Sequence, residues 1–339
     1  MLGIGRKQVK ELAHDSVSEP CSFDLQKLEH ELKAAYERGD GVVVVSSIGE
    51  VNTVCSRRKF SALIDLSFKQ GGITRDHDHL RQLCDKYQAW LHIDAAFGAF
   101  ACLHQDFESI SSSLDLADSI TSDCHKWLNT PYDAGLFFCR SLALLKAICG
   151  PGQGPAAPYL APGAFESTDS ETEPQLASLQ QYSAALPSPL FVNIENSRRF
   201  RALPIYASLQ TLGREGYRDI VVRNIEFARA VVKHLHDSAD WDVLLPVDFN
   251  TMNIVLCAPS ASARVSTAAE CVKAINATGR MYVSATTWKG RAALRMAVTN
   301  VRQTTCDQHA TDLSTVVNRY GEGSAHCLGG VAPGDASVG

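Results

Sequence analysis

The chain has 339 residues, 45% of them hydrophobic, and a net charge of -5, which is ample material for a buried core in one large domain or two unequal ones. Its lysines and arginines are spread without a basic stripe, so nucleic acid is not an expected partner, and no apolar run reaches the about 20 residues that a bilayer-spanning helix needs. Eleven cysteines, irregularly spaced and without a CxxC pair, read as reduced thiols of a cytoplasmic protein, and the opening MLGIGRKQVKE has no apolar stretch of signal-peptide length.

In chain order, DLQKLEHELKAAYERGDG places Leu25, Leu28, Leu32 and Tyr36 on one helical face and ends at glycine, and VVVVSSI follows as a short β-branched strand. DHLRQLCDKYQAW repeats the device with Leu80, Leu83, Cys84 and Tyr87, and leads into the strands LHID, SITSD and GLFFCR. Successive buried strands with helical crossovers predict a mainly parallel sheet covered on both faces, an α/β large domain over residues 1–212. Residues 150–187, rich in Gly, Pro and Ser, read as a long mobile loop within it. Two helices around LGREG come next. They are followed by the strand TMNIVLC, the helix STAAECVKAINATG, a hairpin of MYVSATTW and AALRMAVTN, and a last helix near HATDLSTVVNRY. Residues 213–320 thus form a smaller α+β domain, and the small-residue tail 321–339 reads as disordered.

In open parallel sheets ligands sit beyond the carboxyl ends of the strands. Asp94 ends LHID and Lys126 lies just past SITSD, which puts both on one rim. An aldehyde cofactor with a protonated pyridine nitrogen needs an amine to condense with and a carboxylate against that nitrogen, and Lys126 and Asp94 supply one of each. His92, two residues before Asp94, shares its face and reads equally as a packed neighbour.

The segments WLHIDAAFG, LADSITSDCHKWLNTPYDAG and SPLFVNIENSRRFRALPIYASLQTLGREGYRD together resemble the group II pyridoxal-phosphate-dependent decarboxylases, the family of aromatic amino acid and glutamate decarboxylases. The resemblance runs from about residue 22 to about residue 318. It implies a fold-type I scaffold and pyridoxal 5'-phosphate as cofactor. By resemblance Lys126 of HKW binds the aldehyde, His125 lies near the cofactor, Asp94 of HxDAA pairs with the ring nitrogen and Ala96 packs on the ring face. Tyr159, in AAPYLAPG, matches the catalytic-loop tyrosine that protonates the carbon losing carbon dioxide. The implied reaction takes the α-carboxylate from an L-amino acid to give an amine, in a homodimer with no nucleic-acid or membrane partner.

Ser122, Asp123 and Asn129 flank the lysine motif, as phosphate contacts or loop supports, with Ser122 carried forward as a cofactor contact. The run Arg198, Arg199 and Arg201 reads as structural pairs near the site or dimer interface, with a substrate carboxylate as the other role, and Arg295 lies on a strand of the small domain with its direction open. Members of the family carry a further segment ahead of the point where this chain begins, with a phosphate-binding stretch and a histidine over the ring. Residues 54–70 read as an insertion between GEVNT and GGITRDH, a surface addition or a translated intron. A carbon–carbon lyase of the sphingosine-phosphate lyase type and a truncated, non-catalytic homologue stand as alternatives to the decarboxylase.

Overall fold

The computed structural model describes residues 24–48, 73–149, 197–245, 253–261, 267–277, 281–288 and 290–299, with isolated positions at 9, 10, 12, 192–195 and 279. The loop 150–187 with Tyr159, the segment 54–70, the expected helix near HATDLSTVVNRY and the tail 321–339 lie outside the described residues.

Helix α1 (Leu25–Arg38) starts where the Asp24 carboxylate accepts the Lys27 N–H at 3.0 Å, and it buries Leu28, Leu32 and Ala35. Strand β1 (Val43–Ser47) follows. Helix α2 (Ile73–Lys86) packs on the same sheet face, where Leu80 and Cys84 meet Leu28, Leu32, Val44 and Leu91. Strands β2 (Trp90–Asp94) and β3 (Ser119–Asp123) extend the sheet in parallel, joined by a 3-10 turn (Gly98–Leu103) and the short helix α3 (Ser109–Leu114). The spacing of apolar residues in the sequence therefore marks the buried faces of these elements, except at Tyr36, which is exposed.

Strand β4 (Gly135–Cys139) corrects the expectation of a run of buried strands joined by helical crossovers. It pairs antiparallel with β3, because only residues 124–134 separate the two, too few for the crossover that a parallel partner requires. It is an edge strand within the described sheet, and Phe137 and Phe138 are 55% and 53% exposed. Helix α4 (Leu142–Cys149) follows it.

Helix α5 (Ala202–His236) joins the two halves. As expected, two helices meet around LGREG within this span: they join at a kink at Gly213, whose φ of 60° and ψ of -172° break the helical path. Beyond it the second sheet has the order β5 (Trp241–Val243), β6 (Ile254–Pro259), β8 (Arg291–Ala297), β7 (Ser284–Trp288), every pair antiparallel, with helix α6 (Ala268–Ala277) against it. One core cluster crosses from the first sheet to the second: Ile93 and Trp127 pack with Ile225 of α5 and with Leu256 and Trp288. Burying side chains of this size contributes about 1.5–3 kcal/mol each, so the two sheets stand on a shared hydrophobic base.

Candidate active site

The site is built on the rim where β2 and β3 end. Their parallel register sets Asp94 opposite Thr121, and Ser47 of β1 lies opposite Asp94 on the other side. The chain leaving β2 is stapled to its neighbours: Ala95 N–H donates to the Thr121 carbonyl at 2.9 Å, and the Ala96 carbonyl accepts from Asp123 N–H at 3.3 Å. Gly98 N–H donates to the Ile48 carbonyl at 3.0 Å. A side chain at 98 has no room, since a Cβ there would lie 2.4 Å from that carbonyl oxygen.

Asp94 is oriented by this turn. Its Oδ1 accepts the Ala96 N–H at 3.1 Å, and the described residues offer no hydrogen bond to Oδ2. His92, on the same strand face, contacts the Ser119 hydroxyl at 2.8 Å through Nδ1 and that of Thr121 at 3.3 Å through Nε2, and Trp90 Nε1 donates to the same Ser119 oxygen at 2.8 Å. Burial pushes His92 below its ordinary value despite the pull of the Asp94 charge, so its imidazole is held neutral and bridges β2 and β3. It is a packed neighbour of the site, one of the two readings its position allows.

Lys126 sits in the tight turn after β3, between residues that anchor the turn from below: Cys124, Trp127 and Leu128 are buried. Its Nζ lies 2.9 Å from Asp123 Oδ2 and 4.4 Å from the centre of the Phe97 ring. Arg295, from β8 of the second sheet, approaches the same ring at 5.8 Å, so this strand residue faces the rim. His125 Nδ1 donates to the Ala134 carbonyl at 3.1 Å, its Nε2 lies 3.7 Å from Asp123 Oδ2, and its ring packs on Tyr132 with centroids 4.3 Å apart. Arg199 and Arg201 reach Asp133 at 2.9 and 3.1 Å, tying the loop after the lysine to the start of α5. That is a structural pairing beside the site.

Of the residues expected from sequence, Lys126, His125, Asp94 and Ala96 lie on this rim. Ser122 points away from it: strand alternation turns its side chain opposite to Thr121 and Asp123, its register partner Leu136 packs toward α5, and its buried Oγ has no hydrogen-bond partner among the described residues. Sequence reasoning missed Phe97, Tyr132 and Ser47. Phe97 and Tyr132 had a signal, each being an aromatic close to a motif residue, whereas Ser47 is found only through strand register.

The arrangement offers a lysine amine and a carboxylate with one oxygen that accepts no hydrogen bond among the described residues on one sheet rim, with a cation from the second sheet close by. The model for the pyridoxal-dependent decarboxylase conserved domain matches residues 73–149, which span α2 through α4 and carry both groups. This stretch is thus similar to the pyridoxal-dependent decarboxylase conserved domain. Among relatives of the chain is an aromatic-L-amino-acid decarboxylase of Bacillus atrophaeus, 26% identical over 253 residues, covering 74% of this chain and 48% of the relative. Another is a 3,4-dihydroxyphenylacetaldehyde synthase of Drosophila melanogaster, 22% identical over 225 residues, with 66% and 39% covered. A solved structure of Oryza sativa TDC with PLP and tryptamine superposes with a TM-score of 0.69 at 19% identity, covering 94% of this chain and 58% of that one. The described halves therefore share the fold-type I architecture of the decarboxylase structures, and the chain spans less than half the length of these curated relatives.

Proposed function

We propose that this chain carries the lysine site of a pyridoxal-phosphate-dependent carboxy-lyase that takes the α-carboxylate from an L-amino acid to give an amine and carbon dioxide. The observation that carries this reading is the placement of both Lys126 and Asp94 on one rim, with no hydrogen bond to Asp94 Oδ2 from the described residues. These residues fit the cofactor: a lysine for the aldehyde, and a carboxylate with one oxygen pinned and the other open to a protonated ring nitrogen. When bound, pyridoxal phosphate supplies an electron sink for the bond to the departing carboxylate.

The chain's own groups then have definite tasks. Lys126 would hold the cofactor through its aldehyde carbon. Asp94, held by the Ala96 N–H, would face the ring nitrogen and favour its protonated form. Ala96 would pack beside the ring. His125, with Nδ1 committed to the Ala134 carbonyl, is fixed in orientation beside Lys126. Arg295 brings positive charge to the rim and suits a carboxylate substrate. Tyr159 is assigned the proton returned to the carbon that loses carbon dioxide. Seven cysteines among the described residues are free thiols, which supports a reducing, cytoplasmic location, and a homodimer completes the reading.

The test is the purified chain mixed with pyridoxal phosphate, reduced with borohydride and mapped by mass spectrometry beside Lys126→Ala. A reduced adduct on Lys126 that the variant lacks is expected, followed by carbon dioxide release in an amino acid screen. An adduct of equal yield in both proteins refutes the assignment. The Drosophila relative named as an aldehyde synthase adds a second product to measure. Equal amounts of amine and carbon dioxide identify simple decarboxylation, and an aldehyde in place of the amine identifies the other chemistry.

A further inference from the structure

Lys126 is held from two sides. Asp123 Oδ2 lies 2.9 Å from its Nζ, and the ring of Phe97 lies 4.4 Å away. The Lys126 side chain is 18% exposed and that of Asp123 32%, so water screens this pair less than a pair on the open surface. The same carboxylate oxygen lies 3.7 Å from His125 Nε2. Asp123 is fixed in turn, since it ends β3, its N–H donates to the Ala96 carbonyl, and it stands opposite Gly135 in the β3–β4 register.

A lysine attacks a carbonyl carbon with the lone pair of its neutral amine, and the ammonium has none to offer. To condense, Lys126 gives up one proton to solvent, its lone pair forms the bond to carbon, and the two remaining N–H hydrogens leave with the carbonyl oxygen as water. A carboxylate at hydrogen-bond distance opposes the first of these events, because it stabilises the ammonium. Its charge has a further effect. A phosphorylated aldehyde brings about two negative charges on the same small ring as its carbonyl, within the roughly 10 Å screening length of Asp123 once that carbonyl reaches Lys126.

We propose that Asp123 is a positioning and selectivity residue that holds Lys126 as a paired ammonium over Phe97 and sets how readily phosphorylated, as against uncharged, aldehydes are captured. This rests on the lysine being the point of cofactor attachment, as proposed above.

The experiment compares the full chain with Asp123→Asn and Asp123→Glu. Each is incubated at one neutral pH with formaldehyde, pyridoxal or pyridoxal phosphate and cyanoborohydride, and labelling of Lys126 is read by peptide mass spectrometry against the exposed Lys273 as an internal standard. Asp123→Asn is expected to label with formaldehyde about two- to fivefold faster at Lys126, since the carboxylate 2.9 Å from Nζ is removed and a partly exposed ion pair has about that worth. Asp123→Glu is expected to restore the slow rate. Raising salt from about 0.05 M to about 0.5 M should speed the unaltered chain more than Asp123→Asn, because the Asp123 charge beside Lys126 is there to be screened in the former. The ratio of pyridoxal phosphate to pyridoxal captured should rise about threefold or more in Asp123→Asn, from the removed repulsion. Equal or slower formaldehyde labelling in Asp123→Asn, or labelling of Lys126 in the unaltered chain that does not speed with salt relative to the internal standard, overturns the proposal, and this second comparison needs no variant to fold. If pyridoxal phosphate labels Lys126 in neither chain while formaldehyde does, the cofactor reading fails and the formaldehyde comparison still decides the role of Asp123.

Discussion

Replacing Gly98 by alanine tests how the turn beyond β2 holds the site. A Cβ at this position would lie 2.4 Å from the Ile48 carbonyl oxygen and 2.5 Å from Ile48 Cγ2. The Gly98 backbone is in a region open to any residue, so the penalty is contact alone, and the first atom met is main chain at the end of β1, which a rotamer change does not move. The Gly98 N–H bond to the same carbonyl must also lengthen. Overpacking of this kind costs about 1–3 kcal/mol, which for a chain of this size lowers Tm by roughly 1–4 °C. Because Phe97 precedes Gly98 and carries Lys126 on its ring, the displacement also reaches the lysine. Misplacement of a reacting group by about 1 Å costs up to about a hundredfold in rate, so borohydride trapping at Lys126 should slow by at least about tenfold. The assays are calorimetry or thermal circular dichroism, and peptide mapping of the trapped lysine. A Tm within about 1 °C of the parent together with unchanged trapping would refute the reasoning, and would mean that β1 yields to the methyl group without cost.

Two further substitutions probe the groups around the site. His92 binds a proton less readily folded than unfolded, because burial lowers its value; its contribution to stability is therefore present above the unfolded value of about 6.5 and is lost as pH falls through and below it. His92→Gln should flatten the decline in Tm between about pH 7 and about pH 5, and an unchanged slope would show that another group carries it. Tyr217, 3% exposed, donates to the Leu128 carbonyl at 3.3 Å and shares a hydrogen bond with Ser208, so Tyr217→Phe should cost about 1 kcal/mol in urea unfolding by leaving that carbonyl under-satisfied. A midpoint equal to the parent's would mean that the Leu128 carbonyl finds another donor.

The sequence is legible where physics is local. Leu28 and Leu32 at helical spacing, Val44 in a β-branched run, and Asp94 and Lys126 at strand ends all declare themselves because periodicity and punctuation depend on nearby residues. The direction of β4 was recoverable in principle from the short 124–134 connection, but its apolar composition reads as a buried strand when taken alone. Ser122 shows the limit from the other side. Its place beside the motif suggests a cofactor contact, and one residue of strand alternation turns it to the opposite face. The approach of Arg295 to Phe97 is tertiary, set by how the second sheet packs across α5, and no local pattern records it. Asp123 was visible as a neighbour of the lysine, while its ion pair depends on how the turn curls back.

Helix α5 has a mechanical consequence. Its first part past Gly213 places Tyr217 and Ile220 against Cys124 and Leu128 beneath the lysine turn, and its last part places Val231, Val232 and Leu235 in the core of the second sheet. The helix past Gly213 is thus one rod that packs into both halves, and a shift of the second sheet would be passed along it to the floor under Lys126. The two halves should accordingly melt as a single cooperative unit, because neither can let go of the rod without stripping the other's support.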